Sequence, residues 1–458
     1  MSAALALPEL PETPVQPKPA RFGVNEVVLY GLAALILFCP LAFGAVEPWS
    51  IFILQAVSAI LFIVWLYGQL RSPEPAVLWT PIFRPMLAFL ALMCVQLLPG
   101  ISAYRHATYS TLLLYIAYGV VCFLITQTLT RTTHILRLTT TVIIYGTGMA
   151  MFAVLQSLSS SGKLYWIRTP RFGGWIYGPY VNHNHYAGLM EMLVPIPLVF
   201  AFSRYAHGRE RWAAASAAAF MGATIFLSGS RGGMIAFALQ VAIFLYFLSR
   251  EKAASRAAFL MAAFLVISLA SIAWIGGSEV TARLSTISAS KHSDLTNDIR
   301  FQINRDTLHM FAQRPILGWG LGTFETVYPQ FRSFYTNLLV DKAHNDYLQL
   351  LAETGVIGFA IMLWFLISVF RPAWPKIRNW PSEVNGAVTL SAVLGITGIL
   401  IHSLVDFNLE IPANALLFYS LAAVAALPPR FRKSRRDPKH DNHHGKDKVP
   451  SHPDEMFV

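Results

Sequence analysis

The chain has 458 residues, 55% of them apolar and only 13% charged, with a net charge of +11. Soluble chains carry roughly 25% charged residues, and a bilayer penalises each Lys, Arg or Asp at a helix centre by about 2.5–3.5 kcal/mol. The composition therefore excludes a soluble multidomain enzyme and predicts an all-α, polytopic membrane protein.

Residues 1–26 are Pro-rich and lack the basic start and apolar core of a cleavable signal. They are expected to form a disordered cytoplasmic segment, with the first span acting as the insertion signal. Runs of the length a span needs, about 20 mostly apolar residues, lie at 27–46, 50–69, 85–103, 110–129, 135–157, 185–203, 211–228, 232–249, 256–276, 346–370, 385–405 and 412–428. They predict about twelve transmembrane helices in a membrane domain covering 27–428. The third run, which closes at Pro99-Gly100, and the sixth, which holds Glu191 and two prolines, fit the pattern least well. Cys39, Cys94 and Cys122 all fall inside apolar runs, so they read as small packing residues without a disulfide framework.

Orientation follows from the connections. With a cytoplasmic N-terminus, every short inside connection is basic: Arg71 and Arg84, Arg131 and Arg137, Arg204 to Arg211, Arg250 to Arg256, and Arg371 to Arg378. An even number of spans then places the basic tail, residues 429–458, inside as well. The tail is expected to be disordered and to anchor the topology beside anionic lipid; nucleic acid is not an expected partner. Two outside segments are long, 158–184 and 277–345. The second is the largest soluble piece, with a helix-like stretch at 297–313 and a Gly-rich turn region at 314–324.

Polar residues at the outer helix ends are the candidate site. Arg231 stands in a hydroxyl-rich turn between two spans. It reads either as an interfacial Arg that snorkels to water or as an anion-binding Arg beside the free N–H groups of a helix start. Arg300, Arg305 and Arg314 lie in the long loop. Arg300 begins a stretch whose apolar spacing (Phe301, Ile303, Leu308, Phe311) would let it point back at the membrane. His344 sits where that loop re-enters the bilayer. A His near its ordinary pKa of about 6.5 moves a proton either way at neutral pH, and a helix start favours the neutral form that suits a general base. Asn345 and Asp346 are expected to orient it, or to cap the helix.

The segment 177–190 adds Asn182 and Asn184, as hydrogen-bond donors to a polar ligand or as caps, with Lys163, Arg168 and Arg171 nearby. Its His183 and His185 lack a convincing third and fourth ligand, so no metal is expected. His402 and Asp406 read as a local hydrogen-bonded pair that shapes the same cavity. Several Arg residues converging with a neutral His suit a diphosphate-bearing lipid: Arg holds the phosphates bidentately and His deprotonates an incoming hydroxyl. There is no P-loop or dinucleotide fingerprint, which fits an outer face without ATP.

These residues resemble the bacterial O-antigen ligase and polymerase superfamily. The resemblance rests on His344-Asn345, nine residues, then Gly355-x-x-Gly358, which matches the ligase-type pattern; on Ser230-Arg231-Gly232-Gly233, similar to the family's Ser-Arg turn; and on Arg300 followed by the 314–324 segment (RPILGWGLGTF). It covers residues 171–412, the first five spans matching only in hydropathy. It implies a cofactor- and metal-independent, inverting glycosyltransferase of the bacterial inner membrane. Such an enzyme moves a glycan from undecaprenyl diphosphate to an acceptor hydroxyl, on a lipid or a glycan, in the periplasm. His344 takes the base role, Arg231 and Arg300 bind the diphosphate, and 277–345 is the periplasmic catalytic loop. Further substrate contacts are expected from Arg171, Asn182, Asn184, Arg314, Asn345, Asp346 and Asp406. The His motif tilts the reading to ligase; the alternative within the superfamily is a repeat-unit or exopolysaccharide polymerase. From other classes, a bicarbonate-like solute transporter would use mid-span ionisable residues, for which Glu191 is the main candidate, and a scaffold without catalysis would tolerate loss of both Arg231 and Arg300.

Overall fold

The computed structural model describes residues 23–169, 176–251, 297–336 and 339–428. The N-terminal segment up to residue 22, Arg171, the ninth predicted span, the first part of the long loop up to residue 296 and the tail after 428 lie outside the described residues. Within them the chain is helical and has no strand, only two isolated bridges in and near the 158–184 segment.

In chain order the helices are α1 (Val24–Leu41), α2 (Pro48–Leu70), α3 (Phe83–Gln96), α4 (Arg105–Thr128), α5 (Thr132–Ser159), α6 (His183–Leu193), α7 (Pro195–Phe202), α8 (Gly208–Leu227), α9 (Arg231–Ser249), α10 (Asn297–Gln313), α11 (Phe324–Val327), α12 (Asp346–Ile377), α13 (Val384–His402) and α14 (Pro412–Ala426). Eight stretches among the described residues are helical, long and apolar enough to cross a membrane: α1, α2, α4, α5, the α6–α7 pair, α9, α12 and α13. A helix is the form a spanning segment takes because it satisfies its own backbone hydrogen bonds where water is absent.

Three predicted spans depart from that standard. The run at 85–103 ends as a helix at Gln96, and the run at 412–428 is the short α14. The run at 211–228 is the alanine-rich α8, whose first turn carries Arg209, Glu210 and Arg211. The run at 185–203 divides at Val194–Pro195, because Pro195 lacks the N–H that would continue α6 and instead opens α7.

Burial separates centre from rim. Of the spanning window of α6–α7, 83% is buried, against 28% for α2. The outward residues of α2, such as Phe52 and Ile63, are apolar and exposed, as befits a lipid-facing surface, where exposed hydrophobic side chains carry no penalty. α13 is the central post: it packs against α6, α7, α9, α12 and α14. The loop segment α10–α11 has its own small core of Ile303, Met310, Phe324, Val327 and Tyr328, and α10 packs on α12.

Candidate functional site

The polar groups gather around the connection between α13 and α14, residues 403–411, at the end of the bundle where α6, α9 and α12 begin. Each of those helices starts with a side-chain cap. Asn182 Oδ1 accepts the N–H of Asn184 at 2.9 Å, Ser230 Oγ accepts that of Gly233 at 3.2 Å, and Asn345 Oδ1 accepts those of Tyr347 and Leu348 at 3.1 Å. These caps satisfy N–H groups a helix start otherwise leaves bare, and they fix where the next residues stand.

His344 precedes the α12 cap with φ +54, a left-handed conformation uncommon for a residue with a side chain. The turn aims its ring at the 403–411 connection. Nδ1 lies 3.5 Å from Asp406 Oδ1, with the His344 side chain 12% exposed and that of Asp406 1%. The ring stands edge-on to Phe407 at 4.9 Å, and the His185 ring meets the same Phe407 at 4.7 Å. Asp406 also accepts the Asn184 side-chain amide at 2.5 Å and the Phe407 N–H at 2.8 Å. Burial by itself raises a carboxyl, yet the contact with His344 and electrostatic interactions with His185, His344 and Arg300 outweigh it and hold Asp406 well below the usual carboxylate range.

Arg300 donates from Nη1 to the Val405 carbonyl at 2.9 Å, and its Nε is buried without a hydrogen-bond partner among the described residues. Asn345 donates to the Leu404 carbonyl at 3.0 Å. Asp346 turns the other way, accepting from Ser403 Oγ at 2.6 Å and the Leu409 N–H at 3.0 Å. The expectation that Asn345 and Asp346 orient His344 therefore gives way to a different arrangement: both tie down the α13–α14 connection, and Asp406 on that connection faces the imidazole. Asp406, expected beside His402 and as a substrate contact, meets His344 instead across 62 residues of sequence, an apposition for which linear spacing carries no signal.

Arg231 is the exposed first residue of α9. Beside it, a Cβ on Gly232 would stand 2.7 Å from the His402 ring and 2.8 Å from Val405, so the glycine lets α9 begin against the same connection. The side-chain pairing expected between His402 and Asp406 is replaced by two others. His402 Nδ1 pairs with Glu191 at 2.8 Å, while only its carbonyl meets Asp406, accepting that residue's N–H at 3.2 Å. His185 Nδ1 lies 3.4 Å from Asn408 Oδ1. Among the described residues, no group of three His, Cys, Asp or Glu side chains is arranged to hold a metal ion.

Arg314 is drawn elsewhere. It donates to the Ile101 carbonyl at 2.7 Å and lies over the Trp319 ring at 4.1 Å. Arg168 pairs with Glu47 at 2.5 Å and covers Phe43, which neutralises its charge. The Gly-rich turn is a clasp. Gly318, Gly320 and Gly322 all have positive φ, and Glu353 accepts the N–H groups of Gly322 and Phe324 at 2.9 Å each. Gln96 of α3 bonds the Leu317 and Glu353 carbonyls and the Leu321 N–H. Lys342 pairs with Glu410 at 2.7 Å. Burial disfavours its charge, but Glu410, Glu353 and Asp341 outweigh that and raise it above the usual lysine value.

A largely apolar cavity of about 120 Å³ adjoins this end of the bundle, with Phe89, Tyr115, Phe365 and Tyr419 in its walls and Asp346, Ser403 and Glu410 at its polar side. A second apolar cavity of about 150 Å³ lies among α1, α4, α5, α7, α13 and α14, away from these polar groups.

A family model described as O-antigen ligase matches residues 216–363. The matched stretch contains the Ser230–Gly233 turn, Arg300, the clasp and the His344–Gly358 segment, and the match supports a likeness to the O-antigen ligase and polymerase superfamily over that part of the chain. No curated protein matches the chain.

Proposed function

We propose that this protein transfers a glycan from undecaprenyl diphosphate to an acceptor hydroxyl on the outer face of the bacterial inner membrane, as an O-antigen ligase. The observation that carries the reading is the buried carboxylate of Asp406 facing His344 Nδ1 at 3.5 Å, with Arg300 on the adjacent Val405 carbonyl. A carboxylate opposite Nδ1 favours the tautomer with its proton there and leaves Nε2 as the basic nitrogen. Nε2 then takes the proton of the acceptor hydroxyl as its oxygen attacks the anomeric carbon. The bond from that carbon to the diphosphate breaks, the electron pair leaves with undecaprenyl diphosphate, and a single displacement inverts the anomeric configuration. Arg300, whose buried Nε has no hydrogen-bond partner among the described residues, and the exposed Arg231 stabilise the negative charge on the leaving diphosphate.

The cavity beside Asp346 supports a lipid substrate, since its walls are apolar and its polar side meets the 403–411 connection. Glu191, on which a transport reading turns, is fully buried and hydrogen-bonded to His402, and this favours the transferase. Twelve spans with both termini cytoplasmic are part of the proposal. So are the periplasmic position of residues 277–345 and the substrate-contacting roles of Arg171, Asn182 and Asn184. The test is transfer by the purified protein in proteoliposomes from a lipid-linked glycan. His344→Ala is expected to abolish transfer while the protein still inserts, and full transfer by that variant would refute the assignment. Deleting the gene sorts ligase from polymerase: loss of attached glycan with lipid-linked polymer accumulating means ligase, and attached single repeat units mean polymerase.

A further inference from the structure

Three buried side chains from three helices form a line that the transfer chemistry does not use. Glu191 of α6 is 0% exposed, His402 at the end of α13 is 1% and Ser230, the cap of α9, is 0%. His402 Nδ1 contacts Glu191 Oε1 at 2.8 Å, and its Nε2 lies 3.4 Å from Ser230 Oγ. Ser230 Oγ in turn accepts the Gly233 N–H that starts α9. The second carboxylate oxygen, Oε2, is buried without a partner among the described residues. Hydrophobic side chains of similar volume would pack here without that cost, so the polar line calls for a role that packing does not supply.

Its geometry indicates the role. The His402 ring holds the first turn of α9, whose first residue is Arg231, while the His402 carbonyl accepts the N–H groups of Val405 at 3.0 Å and Asp406 at 3.2 Å. One residue thus touches both the helix start that carries Arg231 and the connection that carries Asp406. Glycines at 232 and 233 make the approach possible: a Cβ on Gly232 would meet His402, and one on Gly233 would meet Ala187 at 2.8 Å and Glu191 at 3.0 Å.

We infer that Glu191, His402 and Ser230 are positioning residues that set Arg231 in register with the Asp406–His344 pair, and so govern how tightly the donor's diphosphate is held. The inference rests on the proposed transferase reading. In that reading a small displacement of a phosphate-binding Arg costs much of its effect, because orientation carries a large share of rate and binding. Glu191→Gln keeps an oxygen to accept from His402 Nδ1, whereas Glu191→Leu does not.

The experiment uses the full chain in nanodiscs with undecaprenyl diphosphate as the probe, and proteoliposome transfer kinetics alongside. Glu191→Leu, Ser230→Ala and Gly232→Ala are expected to raise the dissociation constant and the donor KM about tenfold and to lower kcat to a lesser extent, since Arg231 also meets the leaving diphosphate, and Glu191→Gln is expected to bind as the native protein does. Folding is followed by thermal unfolding. Should Glu191→Leu not accumulate, Gly232→Ala and Ser230→Ala carry the test: the first keeps all three polar side chains, and its Cβ displaces the His402 ring from the start of α9. Arg231→Ala is measured beside them. If it binds as tightly as the native chain, the diphosphate reading fails. If it binds weakly while Gly232→Ala and Ser230→Ala bind normally, the positioning role is wrong and the transferase reading stands. A parallel fall in kcat without a change in KM likewise overturns the positioning role.

Discussion

The segment from His344 to Gly358 begins and ends in contrasting ways. At its start, His344 is held in a left-handed turn with its ring facing Asp406, and Asn345 caps α12. Eleven residues on, Gly355 has φ +66 and ψ −170 inside the same helix, a conformation essentially reserved for glycine. There the backbone opens to receive the clasp: the Val356 N–H bonds the Pro315 carbonyl at 2.8 Å, and a Cβ on Gly355 would run into the backbone of Ile316. One short motif thus carries a polar end suited to chemistry and a glycine end that joins the long loop to the bundle. Residues read together as a pattern need not share a task.

That contrast makes definite predictions. The largest effect is expected at the polar end. His344→Ala should lower transfer by about 10²–10⁴-fold without a change in melting temperature, measured with a lipid-linked glycan in proteoliposomes, and Asp406→Ala should follow it closely. Arg300→Ala should lower kcat/KM for the donor by about 10²-fold; a normal value would leave the loop Arg as no more than a tie to Val405. At the glycine end the signature reverses. Gly355→Ala should destabilise the fold by about 1–3 kcal/mol, seen as a lower unfolding temperature, with transfer per folded molecule largely kept. If Gly355→Ala instead kept native stability and lost transfer, the division between the two ends would collapse. Smaller still, Glu353→Gln retains one acceptor for the clasp and should cost about 1 kcal/mol.

The pH dependence sharpens the same contrast. The Asp406 carboxyl is held below its ordinary value, so its stabilising contribution is fully present above the unfolded value near 3.9 and is lost only as pH falls through a still lower folded value. The carboxylate therefore stays ionised across the neutral range, and Asp406→Asn should lower transfer by a similar factor at every pH from about 5 to 8. Transfer measured across that range in both proteins checks it; a ratio that changes with pH within the range would contradict the assignment.

Much of the fold was legible because spanning helices announce themselves by length and hydropathy, without reference to their neighbours. The third run misled because hydropathy continues past Gln96, where the helix ends ahead of Pro99-Gly100, with the Gln96 amide turned to the clasp. Arg314 was placed with the site on charge alone; its stacking on Trp319 depends on how the loop folds back. Glu191 looked like a mid-span ionisable residue, and its partner His402 lies 211 positions away.

By itself the sequence determined a helical membrane protein and the motif segments that resemble the O-antigen ligase superfamily, since apolar run length and local spacing are properties of the chain read in order. The tertiary structure alone decided the partners. It put Asp406 rather than Asn345 or Asp346 opposite His344, Glu191 rather than Asp406 on His402, and Arg314 on Trp319 away from Arg300. A hydrogen bond is set by a few ångströms of space between elements far apart in the chain, and that space exists only after α13 has drawn α6, α9 and α12 around it.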